Sequence, residues 1–310
     1  LAAVSGLFNV QAANAQGAGT TGAQVLQFVA GSRAVALSGA YTAVSSDADV
    51  LFYNPAGIVP LRHAAALSYE AYVEGVALAS FGGVLNLGRI TLGISELLLD
   101  AGDVNERVPD PDFGGNRGIS TGRVLSASES VTRISAAAPF GDRLRLGASA
   151  GVIATTIAEQ GMNAPVFDLG AQYELSRATL GVALRNVGTD LSGDNLRPAK
   201  PPTEARLGAV MEFQRADGFG FAIHTDIVSR LHEGSTGLVV GAEGGWQAQA
   251  RALTAMARVG YSAAEGAGGL GAIKFGGGLT MGQIALDYAF QHMEFLGAVH
   301  RLGLRWSVPR

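Results

Sequence analysis

The chain has 310 residues, a net charge of −4, no cysteine and 44 glycines. Only 15% of its residues are charged, against roughly 25% in ordinary soluble chains, and its mean hydropathy is +0.25. No apolar run reaches the roughly 20 residues of a transmembrane helix. The lack of cysteine excludes disulfide staples and thiolate metal centres. No Lys/Arg cluster or basic stripe invites nucleic acid, and the five histidines show no ligand spacing, so neither a metal nor a cofactor is expected.

Residues 1–16, LAAVSGLFNVQAANAQ, read as the end of a secretory signal peptide. An apolar stretch runs to Val10, and Ala13-Asn14-Ala15 has the small-x-small form that a signal peptidase recognises, so residues 1–15 are expected to be a leader remnant. Residues 16–61 follow as a separate segment. Within it, 31–58 read GSRAVALSGAYTAVSSDADVLFYNPAGI. Gly39, Ala40 and Ala43 are small enough to press against a barrel wall. Ser45 or Ser46 with Asp47 and Asp49 can cap backbone N–H groups at a helix start, and Asn54-Pro55 initiates a turn. The expected role is to close a lumen and organise the first strand; a gated hatch or a docking surface is the functional alternative.

From Arg62 to the end the sequence alternates with period two in fourteen segments bounded by Gly, Asp, Asn or Pro. They run over 62–73, 75–86, 88–101, 124–140, 143–160, 164–175, 178–189, 203–213, 219–230, 236–248, 251–262, 271–281, 283–293 and 298–308. In the last, His300, Leu302, Leu304, Trp306 and Val308 oppose Arg301, Gly303, Arg305 and Ser307. In the thirteenth, Ile284, Leu286, Tyr288, Phe290 and His292 oppose Ala285, Asp287, Ala289 and Gln291. One side is apolar and the other small, polar or charged. Many segments reach the 9–11 residues of a tilted membrane strand, beyond the mode of about 5–6 in globular sheets. Tight turns alternate with long loops near 102–123, 190–202 and 263–270, the asymmetry of an outer-membrane barrel with periplasmic turns and extracellular loops. A free sheet edge is not tolerated in lipid. The fold class is therefore all-β: a closed antiparallel transmembrane barrel of about fourteen strands over 62–310, in the bacterial outer membrane with lipid as its solvent.

If the apolar faces meet lipid, Arg185, Arg206, Glu212, His224, Asp226, Glu243, Arg258, Lys274, Asp287, Arg301 and Arg305 point into the lumen. An Arg or Lys facing lipid at mid-depth costs about 2–4 kcal/mol. Six cations face four carboxylates in this set, which suggests ion-paired filling instead of a pore of one sign; a ligand carboxylate held by Arg301, Arg305 or Lys274 is the sharper reading. His224 and Asp226 lie two apart on one face and His292 and His300 flank a hairpin, but no nucleophile completes a triad, so no enzyme and no catalytic residue are expected.

The segment 31–58 also resembles the N-terminal signature of the PorV/PorQ family, outer-membrane barrels related to the FadL fatty-acid transporters. The matching residues are Gly31, Arg33, Ala34, Gly39, Ala40, Tyr41, Thr42, Ala43, Val44, Asp47, Ala48, Phe52, Tyr53, Asn54, Pro55, Ala56 and Gly57, with Ser38 where the family usually has Gly. Leu184–Gly188, Pro202–Gly208 and His300–Leu304 resemble its mid-barrel and closing-strand patterns. The resemblance implies a FadL-like barrel and a non-enzymatic scaffold or shuttle role in type IX protein secretion or cell-surface assembly. Its partners would be a secretion channel, exported cargo with a C-terminal signal domain, or surface-complex subunits, met through loops 102–123 and 190–202. Two alternatives stand beside this: a FadL-like channel for hydrophobic small molecules, and a structural subunit of a larger surface complex.

Overall fold

The computed structural model describes residues 21–72, 75–114, 117–193, 197–214, 218–248, 253–263, 272–293 and 297–308; the expected leader and its cleavage point lie outside them. Fourteen strands follow one another: β1 (His63–Ala71), β2 (Ala77–Asn86), β3 (Thr91–Pro109), β4 (Gly118–Phe140), β5 (Leu144–Ile157), β6 (Gln160–Glu174), β7 (Ala178–Gly188), β8 (Glu204–Gln214), β9 (Phe219–Arg230), β10 (Ser235–Ala248), β11 (Leu253–Ser262), β12 (Ile273–Met281), β13 (Ile284–Met293) and β14 (Gly297–Val308). Each pairs antiparallel with its neighbours, and β1 closes on β14 from His63↔Val308 to Ala71↔His300, giving a closed barrel. Closure satisfies the ladder groups inside the wall, which lipid requires.

The wall is inverted relative to a globular protein. Leu302 (66% exposed), Leu304, Leu286, Leu279 and Ile134 lie on the outside, while Arg133, His224, Asp226, Lys274 and Asp287 are buried within. Such an outward apolar band is stable only against hydrocarbon. The period-two burial of β13, from exposed Ile284 and Leu286 to buried Ala285 and Asp287, follows the alternation of its sequence.

The two ends differ. At the turn end, β1 begins, β14 ends, and hairpins close tightly, as at 141–143 and 175–177. At the loop end the connections depart from the loops expected. Residues 101–109 and 118–126 are not a loop but continue β3 and β4 as a two-stranded hairpin, with register shifts at Asp100/Asp103 and Asn105/Arg107. Gly102 (φ +77°) and Gly122 (φ +81°) supply the left-handed conformation there. Composition reads this stretch as loop because its Gly, Asp and Pro are turn residues; cross-strand pairing overrides them. The described part of 190–202 is tied back to the barrel and the luminal segment. Leu191 is fully buried and bridges Ala199, Ser192 bridges Asn163, and Lys200 bridges Thr21. Between β5 and β6, Ala158 (φ 48°) and Glu159 (φ 76°) form a two-residue turn with both centres left-handed, so β6 starts at Gln160.

Candidate functional site

Residues 21–61 fill the lumen. They start at the loop end, where Gly22 N donates to Lys200 O (2.9 Å) and Val25 N to Glu129 Oε2 (2.7 Å), and descend to Leu61 beside the start of β1. One short helix, α1 (Ser32–Ala36), lies against β11–β14. Its turn is stopped by Ser38 (φ 53°) and Gly39 (φ 83°), where Gly39 N donates to Ala34 O (2.8 Å). Asp47 caps a 3-10 turn over 48–52 by accepting from Asp49 N (3.1 Å), and Asn54 caps another over 55–58 by accepting from Ala56 N (3.1 Å), with Pro55 leading. Ser45 and Ser46 are not the capping groups; Ser46 Oγ instead accepts from Arg33 (2.6 Å). Phe52, Tyr53 and Gly57 are buried in the core that this segment builds with the wall.

The wall grips the segment's main chain. Asn54 Nδ2 donates to Thr42 O (2.8 Å) and to the wall carbonyl of Ala171 (3.1 Å). Gln172 Nε2 donates to Thr42 O (3.1 Å) and Val44 O (2.9 Å). Asp226 Oδ2 accepts from Tyr41 N (3.2 Å), Thr42 N (3.2 Å), Thr42 Oγ1 (2.6 Å) and Arg206 (2.9 Å). Such close approach needs glycine in the wall: a Cβ on Gly170 would fall 2.0 Å from Asn54 Oδ1, and one on Gly181 2.4 Å from Thr42 O.

Six ion pairs close into one ring. Arg33 pairs with Asp47 (2.7 Å), Asp47 with Arg305 (3.0 Å), Arg305 with Asp287 (2.5 Å), Asp287 with Arg258 (2.7 Å), Arg258 with Glu243 (2.9 Å), and Glu243 with Arg33. Three guanidinium groups and three carboxylates thus alternate, joining the luminal segment to β10, β11, β13 and β14. Tyr41 donates to Asp47 as well (2.7 Å). Burial raises the cost of the Asp47 charge, yet Arg305 and Arg33 outweigh it and hold this carboxyl below the usual range. Asp49, two residues on, has the opposite fate. Burial pushes its carboxyl up to about 8, with the negative charge of Asp47 adding to the rise and Arg305 offsetting part of it.

Across the lumen the pairing is looser. Glu204 is shared by Arg185 (3.2 Å), Arg206 (3.5 Å) and Arg230 (3.6 Å). Tyr53 contacts both Arg185 and Arg206, whose guanidinium carbons sit 5.5 and 5.4 Å from its ring centre, and its hydroxyl donates to Ala30 O (2.7 Å). Arg133 meets Asp168 (3.0 Å) and donates to Asn186 Oδ1 (2.7 Å). The β6–β7 ladder skips between Phe167 and Leu169, and Asn186 takes a left-handed φ of 57°. These arginines, Glu204 and Tyr53 border a chamber of about 40 Å³. Nearer the loop end a cavity of about 250 Å³ is lined by Phe28, Val29, Val35, Tyr72 and Met293, with Lys274, Gln291 and Arg301 on its polar side. Residues 27–29 border both spaces.

Of the residues the sequence assigns to the lumen, Arg185, Arg206, His224, Asp226, Glu243, Arg258, Lys274, Asp287 and Arg301 are buried. Arg305 is half-buried in the ring, and Glu212 is exposed, lining a 350 Å³ vestibule with Glu243. Arg301 pairs with Glu70 and donates to Val29 O. His224 faces Glu243 at 3.5 Å and not Asp226; His300 Nδ1 shares a hydrogen with the Tyr288 hydroxyl (2.7 Å) on the outer face. Sequence reasoning missed Glu70, Arg133, Asp168 and Glu204. Each is a charge inside an alternating strand, so the rule that turned the others inward would have found them.

No protein-family model and no curated protein matches the sequence. The fold is similar to that of the toluene transporter TodX of P. putida, with a TM-score of 0.61 at 12% identity over 91% of this chain and 99% of that one. It is similar also to a Pseudomonas aeruginosa FadL homologue, with a TM-score of 0.53 at 12% identity over 89% of this chain and 98% of that one. At such identity the likeness concerns architecture, not the PorV/PorQ family, and it establishes that the chain has a FadL-like barrel fold.

Proposed function

We propose that the protein is a non-enzymatic outer-membrane barrel that takes up small hydrophobic molecules through its loop end. The 250 Å³ cavity carries this reading. The apolar side of its lining, Phe28, Val29, Val35, Tyr72 and Met293, suits a body of about one aromatic ring, and the wall glycines and ion pairs hold the luminal segment as a fixed floor beneath it. Residues 27–29 border both this cavity and the inner chamber, so a displacement of that stretch would bring the two together. Neighbours described as toluene and monoaromatic hydrocarbon channels support the size class. Saturation-transfer NMR with toluene on the detergent-solubilised barrel tests it: the expected signal disappears in Val29→Trp, which fills the cavity. No signal from the wild-type barrel sinks the reading.

A second reading, the scaffold or shuttle role of type IX secretion, draws on the β3–β4 hairpin. β2 pairs with β3 only as far as Asp100, and β5 with β4 only from Ala127, so beyond them both hairpin edges are open among the described residues, with Val104 65% exposed. Open edges accept a partner strand. Copurification decides between the readings: a secretion channel, exported cargo or surface-complex subunit that leaves when 103–124 is replaced by a short turn favours the scaffold.

A further inference from the structure

The turn end carries a charge pattern that neither reading uses. Arg62 immediately precedes β1, Arg89 sits in the β2–β3 turn, Arg143 in the β4–β5 turn and Arg177 in the β6–β7 turn; all four are exposed. Three of their carbonyls are built into the strand ends. Arg62 O accepts from Asn86 N (2.9 Å), Arg143 O from Glu174 N (2.8 Å) and Arg177 O from Glu212 N (3.1 Å). The main chain that carries Arg62, Arg143 and Arg177 is therefore fixed at the rim. None of the four has an ion-pair partner among the described residues. The loop end differs: exposed Arg123 there meets both Glu106 (3.4 Å) and Glu159 (3.5 Å). Arg215 and Asp217 fall in sequence between β8 and β9, and Arg251 between β10 and β11, outside the described residues.

A second observation fixes where this rim stands in the membrane. Both tryptophans of the chain, Trp246 (54% exposed) and Trp306 (40%), lie on the outer face near the turn end. Trp306 Nε1 donates to Gln283 Oε1 (3.2 Å) in the β12–β13 turn. Tryptophan concentrates at the headgroup level of a bilayer. Leu87 and Ile90 bracket Arg89, and Phe140 and Leu175 sit beside Arg143 and Arg177, all exposed on the same rim. Apolar anchors thus end where the guanidinium groups begin. Among the described turn-end residues, Arg62, Arg89, Arg143, Arg145 and Arg177 face only Asp142, Glu174 and Glu212, and Glu174 is taken by Arg145. The excess is positive in a chain whose net charge is −4.

We propose that this rim binds the phosphate headgroups of anionic phospholipids in the leaflet at the turn end. Guanidinium forks match phosphate oxygens bidentately, and a cation near an anionic surface gains about fivefold in partitioning. The proposal rests on the membrane-spanning barrel and not on either reading of function. The test is native mass spectrometry of the detergent-solubilised barrel with phosphatidylglycerol and phosphatidylcholine of equal chain length. The wild type is expected to prefer phosphatidylglycerol by about fivefold or more, with the preference falling as salt rises. The variant Arg62→Gln/Arg89→Gln/Arg143→Gln/Arg177→Gln loses it, while Arg107→Gln/Arg117→Gln/Arg123→Gln at the loop end keeps it. Should the fourfold variant not fold, the pairs Arg62→Gln/Arg89→Gln and Arg143→Gln/Arg177→Gln each halve the preference or more. A wild type without preference overturns the proposal and leaves an acidic protein surface as the occupant; so does a rim variant that binds as the wild type does.

Discussion

The two sides of the lumen handle buried charge in different ways. Against β10–β14, Arg33, Asp47, Arg305, Asp287, Arg258 and Glu243 form a ring in which every charge has two opposite neighbours. Against β7–β9, Arg185, Arg206 and Arg230 share the carboxylate of Glu204, Asp226 adds a contact to Arg206, and carbonyls, hydroxyls and the Tyr53 ring complete their surroundings. A closed ring has one low-energy arrangement, because displacing any member strips two partners. A shared carboxylate leaves several arrangements of similar energy. The ring side is thus the fixed half and the Glu204 side the adjustable one, and the small chamber lies on the adjustable half.

Breaking the ring should have the largest effect. Asp47→Asn leaves Arg33 and Arg305 short of a buried charge partner, and loss of one member of a buried pair costs about 3–5 kcal/mol. The thermal midpoint, read by the gel mobility of the folded barrel, is expected to drop further than in Glu204→Gln or Tyr53→Phe. Glu204→Gln should cost less, about 2 kcal/mol, the scale of one charged hydrogen bond, because Arg206 keeps Asp226, Thr42 and the Gly39 carbonyl. Equal losses in Asp47→Asn and Glu204→Gln would mean that the halves do not differ.

The two-faced alternation of the strands was legible in the sequence; which residues pair was not. Alternation turns Asp287 and Arg305 inward because a strand has only two faces and lipid rejects charge. Asp47 meeting Arg305 depends on how residues 21–61 thread the barrel, and no local pattern encodes that path. Glycine positions such as Gly170 and Gly181 carry part of the information, since each marks where main chain approaches the wall. In an isolated strand they are indistinguishable from ordinary strand glycines. The hairpin at 101–126 hides for a related reason: its pairing is specified between two turn-rich segments, each of which alone reads as loop.

Asp49 sharpens the comparison through pH. Its folded carboxyl is raised from 3.8 to about 8 by burial and by Asp47, so the native state holds a proton that the unfolded chain releases. Stability from this group is complete below about pH 4, declines as pH climbs towards about 8, and is constant above. Asp49→Asn keeps a neutral side chain throughout. It should match the wild type near pH 4 and melt a few degrees higher at pH 9. Coincident melting curves at pH 9 would show that a partner or water relieves the Asp49 charge.

The smallest effect is expected at Tyr53, in the adjustable half. Tyr53→Phe deletes the hydroxyl that donates to Ala30 O (2.7 Å) but keeps the ring beside Arg185 and Arg206. Loss of a neutral hydrogen bond costs about 1 kcal/mol, so the midpoint should move only slightly. Tyr53→Leu removes the ring as well and should cost about another 1 kcal/mol for the two cation–π contacts. If Phe and Leu behave alike, the arginines do not depend on the ring, and the carboxylates of Glu204 and Asp226 organise that side. If Leu is clearly worse, the aromatic face is a structural partner of the arginines, adding to what the carboxylates of Glu204 and Asp226 supply on this side.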